Sequence, residues 1–219
     1  MKRLYLLVEG QTEETFVREL LTPHYARIDL FITPIIVNTS PSYKGGISSY
    51  IKVKPQLTRL CRQDRQAIVS TLFDLYALPT NFPGRSLATY PAHGTGEEKA
   101  IFLEVLLAQD INEPNFIPYL MVHEFEMLLF VMPEKFGDWT DSSETLTALK
   151  TIAQAHATPE QINDSPHTAP SKQILRLMPE YKKTFHGPLI ATDIGLDALR
   201  QSCPHFNSWL NQLDQLAIV

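Results

Sequence analysis

The chain has 219 residues, 44% hydrophobic and 20% charged, with a formal net charge of −5. That size fits one large domain, or a domain with an appendage, and the acidic balance excludes a global basic field for nucleic acid; such contact would need a local patch. Cys61 and Cys203 have no metal-ligand or redox spacing, the first residues run straight into a strand pattern rather than a signal peptide, and no apolar stretch reaches membrane-spanning length. A soluble, cytoplasmic protein is expected.

Leu4 to Val8 is a continuous apolar run that stops on Glu9-Gly10. It reads as a buried strand delivering Glu9 to a sheet rim. Phe16, Val17, Leu20, Leu21 and Tyr25 then recur at helical spacing, with Pro23 near the end. Phe31 to Val37 is a second strand, and Pro34 within it suggests an edge position. A turn-rich piece, Asn38 to Gly46, precedes a helix from about Ser48 to Gln63, in which Pro55 marks a break or fresh start. Ala67 to Phe73 is the third strand and ends on Asp74. The loop Leu78 to Gly96 is long enough to read as functional or disordered. Thr95 can cap a helix over Glu97 to Gln109, and Phe116 to Val122 is the fourth strand, followed by His123-Glu124-Phe125-Glu126.

Alternating strands and helices predict an α/β fold with a mostly parallel, Rossmann-like sheet flanked by helices. Beyond Pro133 the pattern turns helical, around Ser143 to His156, Ser171 to Leu177, Leu196 to Gln201 and Pro204 to Leu216. Leu189-Ile190-Ala191 could add a short strand. The expected organisation is a catalytic core over 1–132 and a helical region over 133–219 packed on it.

Three strand ends carry carboxylates: Glu9 with Glu13, Asp74, and Glu124 with Glu126. In a parallel sheet these ends share one rim. Clustered carboxylates repel one another unless a cation neutralises them, and oxygen-only donors favour Mg²⁺ or Mn²⁺. Paired ions of this kind serve phosphodiester hydrolysis. Blander readings stand beside each residue. Glu13 and Glu14 complement a helix dipole, Asp74 starts a turn, and Glu124 and Glu126 alternate along an extended strand. His123 reads as a packing or supporting residue. No His-Glu-x-x-His, phosphate-binding loop or serine elbow is present, so zinc hydrolysis, ATP hydrolysis and serine catalysis are not expected.

Lys44, Lys52, Lys54, Arg59, Arg62 and Arg65 form a locally basic stretch against the single acid Asp64. It reads either as a phosphate-contacting face or as a solvated helix face. Lys172, Arg176, Lys182 and Lys183 make a second, looser set. Neither is interleaved with aromatics, so backbone contact without base readout is expected.

Glu9-Gly10-x-x-Glu13, Asp74 at a later strand end and Glu126 beyond a further one resemble the TOPRIM fold, and most closely its overcoming-lysogenization-defect (OLD) nucleases. More narrowly, the chain resembles the bacterial domain-of-unknown-function family DUF4276. The matching pieces include Lys44-Gly45-Gly46, Thr71-Leu72-Phe73-Asp74-x-Tyr76, Asn81-Phe82-Pro83-Gly84, His123-Glu124-Phe125-Glu126, Pro159-Glu160-x-Ile162-Asn163, Ala169-Pro170-Ser171-Lys172 and Cys203-Pro204-His205-Phe206.

The resemblance implies a metal-dependent nuclease, with Glu9 and Asp74 holding one Mg²⁺ or Mn²⁺, and Glu13 and Glu126 a second ion or the activated water. Glu124 would be a further metal ligand or a supporting residue, and His123 and Tyr76 would support the site. Tyr76 stands where the pattern has a second aspartate, and Glu124 where it has serine. Nucleic acid and an ABC-type ATPase partner in anti-phage defence are the implied partners, with homo-oligomerisation left open. The competing readings are a phosphoesterase on small nucleotides and a non-catalytic module that regulates an ATPase.

Overall fold

The computed structural model describes residues 2–40, 43–44, 47–162 and 168–218. Gly45-Gly46 and Asn163, singled out above, lie outside these, as does the side chain of Lys44.

Strand β1 (Lys2–Val8) ends in three consecutive buried residues, Leu6, Leu7 and Val8, as a strand covered on both faces does. Leu4, Leu6 and Val8 enter one apolar core and Leu7 the other. Helix α1 (Gln11–Phe16) continues through a π-helical turn (Val17–Leu21) into α2 (Thr22–Ala26), and the run buries Phe16, Val17, Leu21 and Tyr25. Strand β2 (Leu30–Ile36) pairs parallel with β1 at the sheet edge, which tolerates the missing N–H of Pro34. A small antiparallel ribbon, β3 (Asn38–Ser40) and β4 (Tyr43–Lys44), leads to α3 (Tyr50–Gln63).

The expected break at Pro55 does not occur. Helix α3 passes through it, held by a buried stripe of Val53, Leu57 and Cys61 that outweighs one lost backbone bond.

Strand β5 (Ile68–Asp74) lies beside β1, also parallel. The loop after it is held to α3: Asn81 Oδ1 accepts the Tyr50 N–H at 3.0 Å and Asn81 Nδ2 donates to Ser49 Oγ at 2.9 Å. Gly84 in the same loop has φ +89°, and a Cβ there would stand 2.4 Å from Leu106 Cδ1, so both backbone and space call for glycine. Helix α4 (Gly96–Ile111) begins as anticipated, with Thr95 and Glu98 in a reciprocal capping box.

The fourth strand is two short ones, β6 (Phe116–Ile117) and β7 (Leu120–Met121), both parallel to β5. Pro118 interrupts the ladder, and Thr71 Oγ1 replaces it, donating to the Tyr119 carbonyl and accepting its N–H. The main sheet runs β2-β1-β5-β6, with β7 also on β5.

Past β7 come two 3₁₀ segments (Phe125–Val131 and Pro133–Asp138), then α5 (Ser143–Gln154), α6 (Pro170–Leu177), α7 (Lys183–Ile194), α8 (Leu196–Ser202) and α9 (Pro204–Ile218). The strand anticipated at Leu189-Ile190-Ala191 is instead part of α7. Gly187, Ile190, Ala191 and Ile194 are buried at helical spacing while Leu189 is exposed, so a helical stripe decides the segment.

These helices share a core with the sheet. Trp209 stacks on Tyr119 with centroids 4.4 Å apart and donates its indole N–H to Ser70 Oγ at 3.0 Å. Helices α3 and α4 cover the opposite face.

Candidate active site

Parallel pairing sets the ends of β1, β5 and β7 side by side, with Val8 opposite Leu72 and Asp74 opposite Met121. Glu9, one residue past β1, accepts the Asp74 N–H through Oε2 at 3.2 Å. Asp74, the last residue of β5, accepts the Phe125 N–H at 3.1 Å. Glu13 projects from α1 and is buried.

Glu124 and Glu126 do not alternate on an extended strand. His123 takes a left-handed φ of 67°, Glu124 is extended, and Glu126 lies in the 3₁₀ turn that follows. That bend still turns both carboxylates to the rim.

The helical region closes the site, which the sequence reading did not foresee. Ser171, in the first turn of α6, gives Glu124 its backbone N–H at 2.5 Å and its hydroxyl at 3.0 Å. Tyr181 donates to Glu126 Oε1 at 3.4 Å. Lys183, assigned above to a loose basic set, opens α7 and enters the cluster: its Nζ lies 2.9 Å from Glu126 Oε2, 3.9 Å from Asp74 Oδ2 and 4.0 Å from Glu124 Oε2. Glu126 Oε2 is fully buried, and the Lys183 ammonium is the positive charge that meets it.

Three carboxyl groups thus lie within 4.0 Å of one ammonium, and Glu9 and Glu13 feel its charge. Burial, then the charge of Glu13, pushes Glu9 up from 4.5 to about 7. Burial likewise lifts Glu126 to about 7, with Lys183 pulling against it. Glu13 is raised and Asp74 is raised well above its ordinary range, in both cases chiefly by burial. Lys183 is held firmly protonated, because Asp74, Glu126 and Glu124 outweigh the burial that lowers it. The cluster therefore holds protons where a stronger positive charge would displace them.

The oxygen-only donor set, with Glu126 Oε2 buried beside a cation, suits a hard divalent cation. The side chains are drawn in on Lys183, however, and among the described residues no three His, Cys, Asp or Glu side chains stand ready to hold a metal together.

Tyr76 is not aimed into the cluster. It lies in a 3₁₀ turn (Leu75–Ala77), 43% exposed, with its N–H bonded to the His123 carbonyl at 3.0 Å. In the basic stretch, Lys54 pairs with Asp110 at 2.9 Å and Arg62 with Glu113 at 2.6 Å, so α4 and its end absorb part of that charge. Lys52, Arg59 and Arg65 are exposed, as are Lys172, Arg176 and Lys182. Among the described residues no helix is long and apolar enough to cross a membrane.

A family model described as a domain of unknown function (DUF4276) matches residues 8–214. No curated protein matches the chain. Among solved structures it is similar to the C-terminal region of the Xanthomonas campestris pv. campestris OLD protein. In the form phased with iodine the identity is 16%, covering 98% of each chain, with a TM-score of 0.42. In the form phased with mercury it is 15%, covering 97% of this chain and 98% of that one, again with a TM-score of 0.42.

Proposed function

The chain belongs to the family described as domain of unknown function DUF4276, and we propose that its carboxylate rim is a divalent-cation centre for phosphodiester hydrolysis, a nuclease site. The observation that carries this reading is the gathering of Glu9, Glu13, Asp74, Glu124 and Glu126 near one lysine, with Glu126 Oε2 buried and the Lys183 ammonium shared with Asp74 and Glu124. So many buried acids are costly to hold together unless more positive charge arrives with the ligand.

Glu9 and Asp74, already joined through the Asp74 N–H, would hold one Mg²⁺ or Mn²⁺, and Glu13 with Glu126 a second ion or the attacking water. Bound there, such an ion supplies Lewis acidity and lowers the pKa of water. Ser171 fixes Glu124, and Tyr181 orients Glu126. Once the carboxylates turn to a cation, Lys183 is left facing the rim, placed to meet the negative charge of a bound phosphodiester. Exposed Lys52 and Arg59 would contact DNA or RNA backbone, and an ABC-type ATPase would be the defence partner implied by the resemblance.

A second reading has its own support. Lys183 already pairs with Glu126, and a built-in counter-ion suits a module that regulates an ATPase without cleaving anything. Cleavage assays on DNA and RNA with Mn²⁺, beside calorimetry with Mn²⁺ alone, separate the two. The nuclease reading expects saturable heat and cleavage, both abolished by Glu9→Ala and by Asp74→Asn. Absence of both from the wild type would overturn the nuclease reading and favour the second. Cleavage confined to mononucleotides would make the protein a small-molecule phosphoesterase.

A further inference from the structure

Beside the carboxylate rim lies a cleft of about 520 Å³, within the size range of small-molecule sites. Its near wall is the rim's own backbone: Tyr76 comes two residues after Asp74, His123 directly precedes Glu124, and the two are joined by the Tyr76 N–H. Its far wall comes from the long loop, through Arg85 and Tyr90, and from the start of α4, through Lys99. The backbone of α4 approaches closely enough that a Cβ on Gly96 would stand 2.8 Å from His123 Cε1, so the two walls meet in tight packing there.

Two tyrosine rings and two cations thus share one concave surface. Tyr90 is braced edge-on by Phe102, with centroids 6.0 Å apart. Its hydroxyl accepts a bond from Arg85 Nη1 at 2.9 Å. A guanidinium carries five N–H donors, so holding Arg85 this way leaves donors for an anion. The acids of the cleft are Glu97 and Glu160. Glu160 is turned to the N–H groups of His205 and Phe206, at 3.0 and 2.9 Å, and exposed Glu97 sits in the first turn of α4. Neither cancels Arg85 directly.

We infer that this cleft takes one unpaired nucleotide, its base against Tyr76 and Tyr90 and its phosphate on Arg85 and Lys99, so that the chain engages single-stranded nucleic acid in preference to duplex. This rests on the nuclease reading only for what happens next, at the rim. A base within a duplex is stacked and paired and cannot present a face to a tyrosine recessed in a cleft, whereas an unpaired one can. It also gives Tyr76 a use. Where a second aspartate was expected, the chain has an aromatic surface at the mouth of the cleft.

The experiment is fluorescence anisotropy with labelled oligothymidylate, as a single strand and annealed to oligoadenylate, in Ca²⁺ and in EDTA, with thymidine monophosphate as competitor. The single strand should bind at least tenfold more tightly than the duplex. Tyr90→Ala and Tyr76→Ala should each weaken it roughly tenfold, the scale of one lost base–aromatic stack, and Arg85→Ala should flatten its salt dependence. Exposed Tyr76 gives a variant expected to fold, checked by its circular dichroism.

Equal affinity for duplex, or variants that bind like the wild type, overturns the inference. Monophosphate binding as tightly as the strand assigns the cleft to free nucleotides and also overturns it. Failure of the nuclease reading registers elsewhere, as a lack of cleavage and of Mn²⁺ heat in a protein that still prefers single strands.

Discussion

Glu126→Gln should stabilise the metal-free protein at neutral pH. The Glu126 side chain is 0% exposed, and its carboxyl is raised from 4.5 to about 7 because burial outweighs Lys183. A carboxyl with a raised folded pKa binds its proton more tightly when folded than when unfolded. Its contribution is thus intact below about pH 4.5 and lost as pH rises through about 7. A displacement of about 2.5 pH units is worth about 3 kcal/mol, which for a chain of this size is about 6–12 °C in Tm.

Glutamine mimics the protonated acid and does not titrate. In EDTA, variant and wild type should melt together near pH 4.5 and part progressively until the variant leads above pH 7. Differential scanning fluorimetry across that range reads the effect. Parallel curves, or a less stable variant at pH 8, would refute the claim that burial outweighs Lys183 at this position. Adding Mn²⁺ should reverse the order, since a cation that binds the ionised carboxylate stabilises only the wild type.

Lys183→Met should lower Tm in EDTA at pH 8, by an amount on the order of 1 kcal/mol because 41% of the lysine side chain is exposed. Mn²⁺ should then restore more Tm than it adds to the wild type; an equal Mn²⁺ response in both would exclude competition between lysine and metal. Away from the site, His205 Nε2 lies 2.9 Å from Glu104 Oε1. Burial lowers the imidazole pKa, but Glu104 outweighs it and the net shift is upward. The pair's stabilisation is therefore full below pH 6.5 and lost as pH rises through the raised value. The Tm gap between wild type and His205→Gln should shrink from pH 6 to pH 9, and a constant gap would mean that packing on Tyr119 alone holds His205 in place.

The strand ends were legible because two local signals agree: apolar runs bounded by turn residues, and carboxylates at or just past their ends. Parallel pairing then brings Glu9 and Asp74 to one rim whatever their separation in sequence, and the bend after β7 adds Glu124 and Glu126. Edge placement of β2 was legible from Pro34 alone. The split of the fourth strand was not, since it depends on Thr71 reaching across to Tyr119, and no pattern within Phe116 to Val122 announces that. Leu189-Ile190-Ala191 misled because three adjacent apolar residues carry no period; its helical stripe emerges only with Gly187 and Ile194 included.

Lys183 was illegible for a deeper reason. One lysine among several on a helical region reads as surface charge until the packing of that region is known. Here α7 packs with Gly187 so close that a Cβ would meet Tyr181 Oη at 2.9 Å and Phe125 Cε1 at 3.3 Å, and this approach carries the start of α7 to the rim. Ser171 does the same from α6. The helical region is therefore a wall of the site: it supplies the ammonium that holds the acids together and the donors that orient two of them. A core fragment ending near residue 132 would keep Glu9, Glu13, Asp74, Glu124 and Glu126 in sequence. It would lose the cation that makes their burial tolerable, along with the apolar surface that Trp209 and its neighbours contribute to the sheet. The carboxylate rim and the packing of the helical region are coupled in this chain through that contact between α7 and the rim.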